Sequence, residues 1–221
     1  RCDAALGLLE AMPELLALQP SLRARTACIS ACYKAPADVP RAIEVLEGLL
    51  ADAVQGEPLD AVARVVAATA LGRSGHWRRA LELVEIDSPT EVVNAGLLAC
   101  EESGCWREAT ELLRDLVVRQ IADRISYSTA ISACAKAGQA NTAMELLAAA
   151  PPCEVSYGAA ISACEKGGRA SDALRLLQEM RSRGLQPTTI AYNSALAACS
   201  GQGWWREACA LVSEMAASSV P

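Results

Sequence analysis

Apolar and polar positions along the chain recur at helical spacing, and the clearest stretch is Glu154–Thr188. Apolar residues between Val155 and Glu165 fall three and four apart. Lys166-Gly167-Gly168 then supplies a helix stop, a cation in the last turn with glycine after it. Beyond it Ala173, Leu174, Leu176, Leu177 and Met180 recur as one helical face. Ser171 and Asp172 stand where they can cap this second helix, and Gly184 and Pro187 close it. No stretch shows the period of two that a half-buried strand requires. The pattern predicts a helical hairpin.

The hairpin is copied along the chain. Ile29-Ser30-Ala31-Cys32, Ile131-Ser132-Ala133-Cys134 and Ile161-Ser162-Ala163-Cys164 are identical, and Leu98-Ala99-Cys100 and Ala197-Ala198-Cys199 are weaker copies. The cysteines of these blocks are spaced 68, 34, 30 and 35 residues apart, and Leu71 fills the slot halved by the first interval. A second marker keeps the same register. Trp106-Arg107-Glu108-Ala109 returns as Trp205-Arg206-Glu207-Ala208, with Trp77-Arg78-Arg79-Ala80 one unit earlier, and Tyr127, Tyr157 and Tyr192 follow the same steps. A period in this range marks a repeat architecture.

The register divides the chain into units 22–60, 61–89, 90–123, 124–153 and 154–188, with a half unit 1–21 before them and a cut unit 189–221 after them. Leu6, Leu8, Leu9 and Met12 share one face of the opening half unit, and Pro36 and Pro40 lie between the helices of the long unit 22–60. One hairpin cannot bury its own apolar face, whereas stacked neighbours can, so the fold class expected is an all-α solenoid. Neither end looks like a polar cap, and the chain is expected to be part of a longer protein.

Composition fits such stacking. Half of the residues are apolar, a fifth are Ala, and Phe is absent. A core made mainly of Ala and Leu reaches native density only if helices approach closely, which positions such as Ala133, Ala163 and Ala198 allow. Arg64 interrupts the apolar stretch Ala61–Gly72, and no run approaches the roughly 18 apolar residues of a membrane span. The ten cysteines form no Cys-x-x-Cys, and the single His76 leaves no zinc set of finger-like spacing. Thiols repeated on an apolar face read as small hydrophobes in the core. There is no phosphate-binding loop, no Gly-x-Ser-x-Gly and no His partnered with a nucleophile. The expectation is a chain with no enzymatic activity, no cofactor and no metal. The net charge of −6 argues mildly against a nucleic-acid ligand, although charge can be segregated by face.

The segment EVSYGAAISACEKGGRASDALRLLQEMRSRGLQPT, residues 154–188, resembles the pentatricopeptide repeat family. It shares the early Tyr, the Gly-rich inter-helix turn, Ala-Leu-x-Leu, Glu-Met and the closing Gly-Leu-x-Pro. Tyr192-Asn193 and Ser213-Glu214-Met215 repeat the pattern, and the likeness is strong from Thr90 onward and looser before it. The resemblance implies a right-handed α-solenoid of stacked antiparallel helix-turn-helix repeats, about six units and ragged at both ends. It also implies an organellar protein, of chloroplast or mitochondrion, that binds single-stranded RNA and supports RNA processing, editing, stability or translation. Other proteins of an RNA-processing complex are further implied partners, and neither membrane nor DNA is.

In that family each unit reads one base. The fifth and last residues face the base edge, the second sandwiches the base, and a lysine ending the first helix meets phosphate. Carried over, the resemblance assigns base reading to Thr26, Asp60, Asn94, Asp123, Ser128 and Asn193. It assigns sandwiching to Val62, Ile125, Val155 and Ile190, and phosphate binding to Lys34, Arg73, Lys136 and Lys166. Thr26 with Asp60 is similar to the guanine-preferring pair, and Asn94 with Asp123 to the uracil-preferring pair. Val65 with Pro89, Gly158 with Thr188 and Ser128 with Cys153 depart from the readable pairs. The phosphate position holds Glu102 and Gly201 in two units, and the second position holds Arg23 and Glu91 in two. A protein-binding scaffold of the tetratricopeptide kind, with no RNA ligand, stays open beside this reading. The acidic balance and the unreadable pairs favour the scaffold. The 35-residue unit, the phased cations and the aliphatic second positions favour RNA.

Overall fold

A computed structural model of the chain describes residues 21–32, 46–48, 59–85 and 88–217, together with residue 7. Lys34, Pro36, Pro40 and the apolar face Leu6, Leu8, Leu9 and Met12 lie outside the described residues. Among the described residues there are eleven helices and no strand.

Two compact units divide the chain, Arg1–Ser103 and Gly104–Pro221. In the first, α1 (Leu22–Cys32) packs on α2 (Ala61–Arg73), and α2 packs on both α3 (Trp77–Glu82) and α4 (Thr90–Ser103). In the second, α5 (Trp106–Val118) packs on α6 (Arg124–Lys136), which also meets α7 (Ala140–Ala149) and α8 (Glu154–Lys166). Helix α8 in turn packs on α9 (Ala170–Ser182) and α10 (Thr189–Gly201), and α10 on α11 (Trp205–Ala217). Within each unit, then, first helices of successive hairpins lie side by side: α2 with α4, and α6 with α8 and α10.

Small residues line those helix interfaces. Ala68, Ala70, Leu71 and Ala99 are fully buried in the first unit, as are Ala133, Cys134, Ala163 and Cys164 in the second. A Cβ built on Gly72 of α2 would stand 2.6 Å from the Cα of Ala99 in α4, so only glycine permits this approach. Close packing of short side chains replaces the missing Phe by many dispersion interactions at short range.

The inter-helix turns share one hydrogen-bond pattern. The N–H of Arg169 donates to the Cys164 carbonyl at 2.8 Å while Gly168 takes φ +66°. The N–H of Gln139 donates to Cys134 and that of Trp204 to Cys199 in the same way, both at 2.9 Å, beside Gly138 and Gly203 at positive φ. This is the glycine-terminated closure that satisfies orphan carbonyls at a helix end. The cysteine slot thus supplies both a core side chain and the carbonyl that ends the helix.

Two details differ from the sequence expectation. Helix α9 starts at Ala170 with Arg169 at the cap position and no side-chain cap. Ser171 and Asp172 therefore lie inside the first turn, and Asp172 pairs with Arg169 at 2.7 Å and with Arg175 at 3.3 Å. The turn closes by backbone alone, which moves the helix start ahead of the polar residues. The tryptophans that open second helices also diverge. Trp77 and Trp106 are half-buried against the two cores, whereas Trp205 is exposed, because α11 rests mainly on α10.

Candidate nucleic-acid interface

The first helices α2, α4, α6, α8 and α10 start at residues 61, 90, 124, 154 and 189, which lets their positions be compared one to one. The second position carries Val62, Ile125, Val155 and Ile190 in four of them, 64 %, 59 %, 61 % and 67 % exposed. Single exposed aliphatics are ordinary, but a β-branched residue left in water at the same position of four helices is a pattern. The thirteenth position carries exposed cations, Arg73, Lys136 and Lys166, each at the C-terminal end of its helix. A cation there also complements the helix dipole. Each of α2, α6 and α8 therefore presents an aliphatic group at one end and a positive charge at the other.

The residues assigned to base reading fall into different environments. Asn193 is exposed in α10, and Asn94 is half-buried in α4. Thr26 is buried in α1. Ser128 is half-buried and donates its hydroxyl to the Ile125 carbonyl at 3.0 Å. Asp60 and Asp123 are exposed and cap the helices that follow them. The Asp60 carboxylate accepts the Ala63 N–H at 2.7 Å. The Asp123 carboxylate accepts both the N–H and the hydroxyl of Ser126, at 2.7 and 2.8 Å, and Ser126 accepts the Asp123 N–H in return. The last residue of a repeat is thus the N-cap of the next helix, a double use that periodicity alone does not reveal.

In the first unit the assigned residues converge. Thr26, Asp60 and Val62 line one cleft of about 450 Å3 with Arg23, Ala27 and Val66. It holds a carboxylate, a hydroxyl, an aliphatic wall and a guanidinium within one opening. Sequence reasoning assigned no role to Ala27 or Val66. Val66 lies one helical turn beyond Val62 on the same face, and that i, i+4 spacing was the available signal. Asn94 belongs to the first unit and Asp123 to the second. In the second unit Gly158 is buried and places no side chain beside Thr188, whose hydroxyl accepts the Ala191 N–H at 3.3 Å. Cys153 is buried and makes no side-chain cap.

The repeated thiols are core groups. Burial pushes Cys134 and Cys164 up to about 11, so both stay protonated and unreactive at neutral pH. Tyr157 lies between α8 and α9, donating to Glu179 at 2.8 Å with the Arg183 guanidinium over its ring, and burial and that bond raise its phenol to about 12. Among the described residues no three potential metal ligands come together, and no helix is long and apolar enough to cross a membrane.

Stacked helical hairpins with an exposed periodic stripe define a helical-repeat binding protein. The PPR repeat family matches residues 152–201, and the PPR repeat matches residues 125–148 and 190–220. The chain belongs to the pentatricopeptide repeat family. Among solved structures, the pentatricopeptide repeat protein PPR10 from maize is similar at a TM-score of 0.62 and 21 % identity, over 99 % of this chain and 32 % of that one. A structure of PPR10 in complex with an 18-nt psaJ RNA element is similar at a TM-score of 0.58 and 22 % identity, over 99 % of this chain and 41 % of that one. The likeness shows the α-solenoid fold, and the chain spans less than half the length of either solved chain. No curated protein matches the sequence.

Proposed function

We propose that the chain is a single-stranded RNA-binding module that engages about one base per repeat, and that it serves RNA processing, editing, stability or translation in a chloroplast or mitochondrion. The observation that carries this reading is the paired stripe on α2, α6 and α8, an exposed aliphatic at the second position and an exposed cation at the thirteenth. Aliphatic side chains offer area to the faces of unstacked bases, and fixed cations offer partners to phosphates. PPR10, which shares the fold, is solved with an RNA element bound. The cleft at Thr26 and Asp60 suits guanine, whose Watson–Crick edge presents two donors to a carboxylate and one acceptor to a hydroxyl, with Arg23 and Val62 as its walls.

The test is fluorescence anisotropy with a uridine-containing single-stranded RNA at two salt concentrations. The wild type should bind, and Lys136→Glu with Lys166→Glu should weaken binding and flatten the salt slope by about 1.4, at about 0.7 for each phosphate no longer neutralised. Equal binding by both proteins would sink the assignment. Binding of a peptide in place of RNA would favour the scaffold reading.

A further inference from the structure

Helix α4 breaks both stripes at once. Its second position is Glu91 and its thirteenth is Glu102, both exposed, where α2, α6 and α8 carry Val62, Ile125 or Val155 and Arg73, Lys136 or Lys166. In α10 the thirteenth position is Gly201, which removes the cation without reversing the charge, and Ile190 keeps the aliphatic stripe. Only α4 among these five helices opposes phosphate.

Local stability accounts for one of the two acids. Glu91 lies in the first turn, where a carboxylate complements the helix dipole. Glu102 lies in the last turn, where the same dipole disfavours a carboxylate and favours the cation that the neighbouring first helix α2 carries. Its charge runs against the helix that bears it, which points to a use on the outer surface. Helix α4 is also the last helix of the first compact unit.

We propose that α4 is an electrostatic break in the RNA track. The proposal rests on the RNA reading above. The first unit grips the strand along α1 and α2 and lets go at α4. The second unit grips it separately along α6, α8 and α10. The nucleotide that falls at α4 is held neither by an aliphatic wall nor by a cation, so one internal position of the bound element tolerates any base or none. The acidic balance of the chain then has a local role, since it sets where the strand is released.

The experiment scans a single abasic nucleotide along a bound single-stranded RNA, using the whole chain and anisotropy as the readout. One internal position should be indifferent, with weaker affinity when the abasic site falls on either side of it. Glu102→Lys should bind the unmodified RNA roughly tenfold tighter at low salt, because reversing a unit charge at close range acts twice. It should also steepen the salt slope by about 0.7. Glu102→Gln should fall between the two and controls for helix stability at that turn. If wild type binds RNA, every abasic position matters and Glu102→Lys binds no tighter, the break is overturned and the RNA reading stands. If neither protein binds any strand, both fail together.

Discussion

Helices α6 and α8 share the Ile-Ser-Ala-Cys core block and the same length, yet they begin differently. At α6 the Asp123 carboxylate holds the N–H and hydroxyl of Ser126 in a reciprocal capping box. At α8 the cap residue is Cys153, and the hydroxyl of Ser156, the counterpart of Ser126, is fully buried with no hydrogen-bond partner. At α10 Thr188 restores a side-chain cap at 3.3 Å. One residue type at the end of a repeat therefore decides whether the next helix is closed, and the same residue occupies the place assigned to base reading. Replacing Asp by Cys removes both services in one step, and the orphaned serine is what remains of the box.

Making α6 resemble α8 should have the largest effect. Asp123→Ala removes the cap and leaves the buried Ser126 hydroxyl unpartnered, a cost of about 2 kcal/mol. Urea unfolding should show a lower midpoint at unchanged slope. The converse change, Cys153→Asp, should gain about 1 kcal/mol by supplying an acceptor to the Ser156 N–H and hydroxyl. An unchanged or lower midpoint would show that the α8 cap site cannot accommodate a carboxylate. The smallest effect, and the most discriminating, is a difference of sign. Ser126→Ala should cost about 1 kcal/mol, whereas Ser156→Ala should be neutral or stabilise by up to about 1 kcal/mol, since it deletes an unsatisfied group. Equal destabilisation in the two variants would mean that Ser156 has a partner after all.

Much of this was legible in the sequence, for identifiable reasons. Phased Cys, Tyr and Trp residues announce helices at a fixed period, and the apolar spacing around Ile161 and Leu177 tells which side is buried. The exposure of Val62, Ile125, Val155 and Ile190 follows the family pattern, because those positions point away from the helix neighbours that bury Ile131 and Ile161. Capping was less legible. Ser171 and Asp172 had the right composition for a cap, but the glycine turn at Gly168 closes on backbone groups and starts α9 before them. The reciprocal bonds at Asp123 depend on extended backbone at the cap residue, at φ −112° and ψ −179°, which residue type alone does not set. Burial of Thr26 and the cleft around it required residues 34 positions apart, Thr26 and Asp60, to meet through packing of α1 on α2.

Cys100, Cys134, Cys164 and Cys199 occupy one structural position in four successive first helices, each fully buried. A thiol-labelling reagent reaches such a sulfur only when its own helix opens, so every hairpin carries an internal clock for its local opening. In an array whose stability is a sum over repeats and their interfaces, four clocks at one position convert labelling rates into a profile of opening free energy along the chain. The feature that lets the helices pack without Phe thereby makes the cooperativity of the stack measurable, one hairpin at a time.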